Sequence, residues 1–289
     1  MDRPGDLPRQ VAELACRAGE AIMEYFQAGN YSVEHKRDSS PVTTADIAAH
    51  DIIVSALPEL LDVPVISEEG AAQTGAVRRS WPRCWLIDPL DGTREFIAGR
   101  GEFTVNIALI DNGRPVLGIV YCPPHERLYV GSLDATMGPC GAYLQRAQET
   151  IWRRLGGTHF QSGEPLHMVQ GRRTKCSDEL QLLTQLQAFS GGLVMHQLGS
   201  SLKLCALAEG RYHMYPRLGP TCEWDTAAGH AVLEAAGGEV LNATDLQPLT
   251  YNLRASLLNP PFWALTDWSP KAQQFWQQVH QALPPVTGY

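Results

Sequence analysis

The sequence predicts a mixed α/β protein whose strands and helices deliver carboxylates at their ends. Three observations lead there. Apolar residues recur at helical spacing from Pro8 to Ala28. A meander of short strands with turn signals occupies Phe103 to Val130. From Leu166 to Leu241, strands alternate with helical segments, the pattern of a layered α/β half. At 289 residues the chain is long enough to bury a large core, as one big domain or two tightly joined halves. The polar stretch from Gln145 to Pro165 divides it into residues 1–150 and 151–289.

In order, Val11, Leu14, Ala18, Ile22 and Phe26 give the first helix, stopped by Gly29-Asn30. A second helix starts after Thr44 and ends near Pro58. The apolar runs Val63 to Ile66 and Cys84 to Ile87 are too short for helices and lead into acidic residues, so they read as buried strands. Phe103 to Ile110, Val116 to Tyr121 and Leu128 to Val130 are separated by Asp111-Asn112-Gly113 and Pro123-Pro124, which predicts antiparallel pairing. Further on come strands at Leu166 to Val169, Leu193 to Met195, Tyr212 to Tyr215 and Glu239 to Leu241. Helices are predicted at Asp178 to Phe189, Ser201 to Ala208 and Thr226 to Ala236. The tail, with Phe275, Trp276 and Val279, reads as an extra helix packed on the same chain, with a dimer contact as the second reading.

Composition excludes several classes. With 44% hydrophobic and 19% charged residues the chain is ordinary globular material. A net charge of −8 without a basic stripe argues against nucleic-acid polymers and anionic lipid as main partners. No apolar run is long enough for an integral membrane segment, and the start lacks a signal-peptide core. The 7 cysteines form no C-x-x-C pair, so reduced thiols and a cytoplasmic setting are expected, with peripheral attachment to the inner face of a membrane left open. No G-x-G-x-x-G opens a helix after a strand, which removes a dinucleotide-binding oxidoreductase.

The informative stretch is Trp85 to Thr93, reading WLIDPLDGT. An apolar strand ends on Asp88, Pro89 makes a turn, Asp91 follows, and Gly92-Thr93 open a short helix whose N–H groups suit a phosphate. Two carboxylates and a hydroxyl so close together suit a hard cation. Alone, the segment also reads as a surface turn. Three more segments end on acids: Glu68-Glu69 after Val65-Ile66-Ser67, Asp46 at a helix start, and Asp225 beside Trp224. Asp46 and Asp225 singly read as helix caps. Converging carboxylates repel one another and must protonate or bind cations.

With these residues in place, the chain resembles the lithium-sensitive, magnesium-dependent phosphatases of the inositol monophosphatase superfamily. The carrying motifs are Trp85 to Thr93 and Trp224 to Gly229, reading WDTAAG, and the likeness runs to about Pro260. Within the superfamily it is most similar to the bacterial 3′(2′),5′-bisphosphate nucleotidases of sulfate assimilation. Ser40 to His50, Gly101 to Ile110, Gly199 to Lys203 and Tyr215 to Thr221 carry that closer likeness. The resemblance implies an α/β/α/β/α sandwich and hydrolysis of adenosine 3′,5′-bisphosphate to AMP and phosphate, by a monomer or homodimer. It implies two or more Mg²⁺ ions held by Glu68, Asp88, the Leu90 carbonyl, Asp91 and Asp225. Asp46 and Thr93 would orient and deprotonate the attacking water. Gly92, Thr93, Ser200, Lys203, Arg217 and Asp225 would hold the substrate. Glu69 matches no ligand position.

The chain departs from that pattern at Gly171-Arg172-Arg173-Thr174, where relatives carry a Ser-Arg-Ser-His-like segment. Arg172 and Arg173 either compensate there or mark a shifted preference. Arg146 to Gly163 also matches poorly and is expected to be a surface loop. An inositol-phosphate or fructose-1,6-bisphosphate phosphatase with the same metals is the competing enzyme. A non-catalytic nucleotide-binding module is the competing class, disfavoured because Asp46, Glu68, Asp88, Asp91, Thr93 and Asp225 are all present.

Overall fold

The computed structural model describes every residue except 1–2, 37–39, 72, 147–148, 161–162, 173–176 and 283–289. The first amphipathic segment forms α1 (Asp6–Ala28), with Val11, Leu14, Ala18 and Ile22 buried. A hairpin of β1 (Val33–His35) and β2 (Pro41–Thr43) leads into α2 (Thr44–Leu60), which packs on α1. Thr43 starts α2 with a capping box: Thr43 Oγ1 accepts the Ala45 N–H at 3.2 Å, and Asp46 Oδ2 accepts the Thr43 N–H at 2.7 Å. Such a cap is worth about 1 kcal/mol. α2 ends just past Pro58, near the expected stop; so close to the C-terminus the proline removes one bond only, and the Leu61 N–H still reaches the Leu57 carbonyl at 3.0 Å.

Next come β3 (Val65–Ser67), the single turn α3 (Gly75–Arg78), β4 (Arg83–Asp91) and the short α4 (Thr93–Ile97). The meander then runs through β5 (Thr104–Asp111), β6 (Arg114–Cys122), β7 (Arg127–Ser132), β8 (Gly141–Arg146) and β9 (Arg153–Leu155). They form a seven-stranded sheet in the order β3-β4-β5-β6-β7-β8-β9, parallel only between β3 and β4. Two expectations are corrected here. β4 does not end at Asp88; it continues to Asp91 with a register shift against β5 between those residues, and an irregularity is where a strand tolerates a proline. The stretch expected as a loop from Arg146 to Gly163 contains β9, whose charged Arg153 and Arg154 disguise a three-residue edge strand.

The second sheet contains β10 (Leu166–Gln170), β11 (Leu193–Gln197), β12 (Met214–Arg217), β13 (Glu239–Asn242) and β14 (Phe262–Leu265), in the order β11-β10-β12-β14-β13. Between and after them lie α5 (Ser177–Phe189), α6 (Leu202–Ala208), α7 (Ala227–Ala235) and α8 (Pro270–Ala282). β14 escaped the sequence reading because a four-residue apolar run carries no period.

Three cores define the layers. α1 and α2 pack on one face of the large sheet, through Ile53, Trp85, Ile107 and Ile119. On its other face Leu86, Ala108 and Val120 share a core with α6, α7 and the inner face of the small sheet at Val169, Val240 and Ala264. α5 and α8 cover the outer face with Leu182, Leu186 and Trp276. The order is α/β/α/β/α, as expected. A Cβ at Gly118 of β6 would stand 2.2 Å from the Ala228 carbonyl oxygen, so glycine there lets α7 lie close against the sheet. The turn Glu223–Asp225 ahead of α7 meets β4, which sets Asp225 beside Glu68 and Asp88.

Candidate active site

The centre is assembled from strand ends. The Glu68 N–H donates to the Ile87 carbonyl at 3.2 Å, which keeps the residue after β3 beside β4. Asp88 is buried at 2% exposure, and its Oδ1 accepts the Leu90 N–H at 3.0 Å. Asp225 closes a 3-10 turn, Glu223–Asp225, ahead of α7, and its Oδ2 accepts the Cys222 N–H at 2.9 Å. Oxygens of Glu68, Asp88 and Asp225 all lie within 4.8 Å of one another. Asp91 stands beside this trio, with its Oδ2 accepting the Ser201 N–H at 2.6 Å.

Asp225 is placed by a buried relay. Arg78, at 2% exposure, donates to Asn252 Oδ1 at 3.0 Å and to the carbonyls of Arg254 and Ala255 at 2.8 and 2.6 Å. The Asn252 N–H in turn donates to Glu223 Oε2 at 2.6 Å, and Arg254 Nη2 meets Glu223 Oε1 at 2.9 Å. Glu223 is fully buried, so these bonds anchor the turn that presents Asp225.

Burial pushes the Asp88 and Asp225 carboxyls well above the usual range, and their negative neighbours add to the effect. Asp91 is raised to about 6 by burial, although Lys203 and the Ser201 N–H oppose the rise. Glu69 is pushed up to about 7 by burial against the pull of Lys36. A cluster of this kind is stable when ionised only beside positive charge. Lys36 supplies some: its Nζ lies 2.7 Å from Glu68 Oε1 and 2.6 Å from Glu69 Oε1. The donors are all oxygen and converge from separate elements, a set that fits a hard divalent cation and not zinc.

Asp46 and Thr93 come together as expected. Thr93 Oγ1 donates to Asp46 Oδ1 at 3.1 Å and lies 3.2 Å from the Leu90 carbonyl. Asp46 is 1% exposed, and burial raises its carboxyl while the Thr43 and Thr93 bonds lower it. Gly92 precedes α4 at its N-terminal cap, so the Thr93 N–H opens that helix beside Asp91.

The substrate-side residues are placed unevenly. Lys203 is buried on α6, its Nζ 2.5 Å from the Ser200 carbonyl and 5.1 Å from the Tyr215 ring centroid. Burial lowers its pKa to about 8. Ser200 holds a left-handed backbone at φ 48°. Arg217 donates to the Gly219 and Pro220 carbonyls at 3.0 and 2.9 Å, so its guanidinium braces its own loop while facing the Asp225 charge. Arg172 forks onto Glu102, with Nη2 to Oε1 at 2.6 Å and Nη1 to Oε2. Arg173 and Thr174 lie outside the described residues. Sequence reasoning missed Lys36, Glu102, Ser201 and the Arg78–Glu223 relay. Nothing in local spacing joins residues so far apart, although the Gly101 to Ile110 motif contains Glu102.

Fold and centre together define an α/β/α/β/α protein with a buried carboxylate site shaped for hard divalent cations. The family model described as the inositol monophosphatase family matches residues 8–280, and the chain belongs to that family. Among curated relatives it is 44% identical to the 3′(2′),5′-bisphosphate nucleotidase CysQ of Escherichia coli, over 88% of this chain and 97% of that protein. It is 33% identical to the protein of the same name from Haemophilus influenzae, over 91% and 94%. Among solved structures, CysQ from Bacteroides thetaiotaomicron superposes with a TM-score of 0.75 at 38% identity, covering 89% of this chain and 97% of that one.

Proposed function

We propose that the chain is a Mg²⁺-dependent phosphatase that removes the 3′-phosphate of adenosine 3′,5′-bisphosphate, leaving AMP and phosphate. The observation that carries this reading is the trio of Glu68, Asp88 and Asp225 oxygens within 4.8 Å, with the Thr93–Asp46 pair beside it. Nucleotidase relatives at 44% identity along nearly their whole length support the substrate. So does the buried cation Lys203 next to Asp91, which favours a substrate carrying a second phosphate.

Glu68, Asp88, Asp91, Asp225 and the Leu90 carbonyl would hold two or more Mg²⁺ ions. When bound, these supply Lewis-acid neutralisation of the phosphoryl charge. The chain's own groups do the rest. The Thr93 hydroxyl, donating to Asp46 Oδ1, turns its lone pairs outward to orient a water. As that oxygen bonds to phosphorus, its proton passes through Thr93 to Asp46, whose burial-raised carboxyl is the better proton acceptor for it. The P–O3′ bond breaks, and the ribose oxygen takes a proton from solvent. The Gly92 and Thr93 N–H groups face the phosphoryl oxygens. Ser200, Lys203 and Arg217 receive the 5′-phosphate side. The two halves, 1–150 and 151–289, act as one catalytic unit, a cytoplasmic monomer or homodimer.

The test is product analysis by anion-exchange chromatography after incubation of adenosine 3′,5′-bisphosphate with enzyme, with and without Mg²⁺. AMP and phosphate in equal amounts, formed only with the ion, are expected. Adenosine 3′-phosphate as the product, or metal-independent turnover, would overturn the reading.

A further inference from the structure

The turn from Gly199 to Lys203 is held far more tightly than a surface turn requires. The Ser201 N–H donates to Asp91 Oδ2 at 2.6 Å, and Ser201 Oγ lies 2.8 Å from both Asn106 Oδ1 and Thr104 Oγ1. Lys203 Nζ clasps the Ser200 carbonyl at 2.5 Å. Between these anchors Ser200 adopts φ 48°, a left-handed conformation that a side-chain-bearing residue keeps only when its surroundings impose it. The upstream anchor is Glu102, whose Oε2 accepts the Gly199 N–H at 2.6 Å. A Cβ on Gly199 would stand 2.9 Å from Glu102 Cβ, its carbonyl oxygen and Oε2, so the contact is backbone against side chain with no room between.

Glu102 precedes β5 in the large sheet, whereas Arg172 follows β10 in the small one. Their fork therefore ties the segment before β5 of the large sheet to the segment after β10 of the small one. Arg172 is also the main cause that holds the Glu102 carboxyl below its usual range, and the Gly199 N–H contributes. A guanidinium fork fixes the plane of a carboxylate, which an ammonium does not.

We propose that Arg172 and Glu102 form a positioning clasp that sets the Gly199–Lys203 turn and thereby selects substrates carrying a second phosphate. The clasp rests on the nucleotide reading above, since that turn bears Ser200 and Lys203. Arg172 acts through Glu102 and touches no reacting atom. The Gly171 to Thr174 departure thus keeps an arginine that orients the specificity turn from the opposite sheet.

The experiment compares wild type with Arg172→Ala, Arg172→Lys and Glu102→Gln, each with Mg²⁺. Two readouts are taken: kcat/KM for adenosine 3′,5′-bisphosphate relative to inositol 1-phosphate, and amide hydrogen exchange of the peptide spanning residues 198–204. The expected result is roughly a tenfold fall in the ratio, carried by KM for the nucleotide, with exchange at least about tenfold faster. Arg172→Lys should track the alanine variant, because it lacks the fork. Unchanged ratio and exchange would overturn the clasp, and so would equal losses on both substrates, which mark a merely structural role. A fallen ratio without faster exchange would also overturn it, by showing that Arg172 meets substrate directly. If wild type itself prefers inositol 1-phosphate, the nucleotide reading fails, and the exchange data alone decide whether the clasp positions the turn.

Discussion

Replacing Asp46 by Asn separates the chemical role of this residue from its structural one. Asp46 Oδ2 faces Thr43, accepting its N–H at 2.7 Å and its hydroxyl at 2.5 Å, while Oδ1 accepts the Thr93 hydroxyl at 3.1 Å. Asparagine can leave its carbonyl oxygen on Thr43, so the α2 capping box survives and stability should change by about 1 kcal/mol or less. Its NH₂ then faces Thr93 and forces that hydroxyl to accept where it formerly donated. The proton route is closed. General-base loss lowers rates by about 10²–10⁴, equivalent to about 3–5 kcal/mol of barrier. The assay is kcat for phosphate release under saturating Mg²⁺, alongside a thermal melt. Thr93→Val should lose a similar factor, and the double variant should lose little more, since both act in one relay. A folded Asp46→Asn enzyme with kcat within about threefold of wild type would refute the relay.

Three further outcomes follow from the same geometry. Asp88, Asp91 and Asp225 are harder to ionise folded than unfolded, so the folded chain binds more protons and their contribution to stability falls as pH rises from about 4 through 6 and beyond. Asp225→Asn should therefore melt a few degrees higher than wild type at pH 8 in EDTA and lose the stabilisation that Mg²⁺ gives wild type; a lower melting point in EDTA would contradict this. Lys203, lowered to about 8, should make KM for the nucleotide climb as pH passes that value, whereas Lys203→Met should give a high, flat KM across the same range. Trp276→Ala, removing a ring that is 1% exposed on α8, should cost about 3–5 kcal/mol in urea unfolding with kcat nearly unchanged, and a much smaller loss would mean that α8 is not docked on the small sheet.

Much of the architecture was legible because local patterns and tertiary demands agree. α1 shows its period openly, and the β5–β7 meander is punctuated by Asn112-Gly113 and Pro123-Pro124. The carboxylates were legible because each lies at one end of an apolar element, after a strand or at the start of a helix. What stayed hidden was non-local. β9 is an edge strand with an arginine pair, β14 is too short for a period, and Pro89 looked like a strand stop although the ladder accommodates it at a register shift. Within the site, Lys36 reaches Glu68 and Glu69 from the β1–β2 hairpin, and Arg78 reaches Asn252 across the chain. Contacts of that kind depend on how layers stack, and no spacing rule reports them. The Arg172–Glu102 fork is the sharpest case: an arginine that the sequence marks only as part of a deviant segment has a definite partner 70 residues away.

On the function proposed above, the carboxylate centre serves a nucleotide carrying two phosphates. The most direct measurement is kcat/KM for adenosine 3′,5′-bisphosphate, inositol 1-phosphate and fructose 1,6-bisphosphate, side by side with Mg²⁺, with and without Li⁺. The nucleotide is expected to lead by at least about tenfold, with Li⁺ inhibiting its turnover. A sugar or inositol phosphate turned over faster than the nucleotide would contradict it.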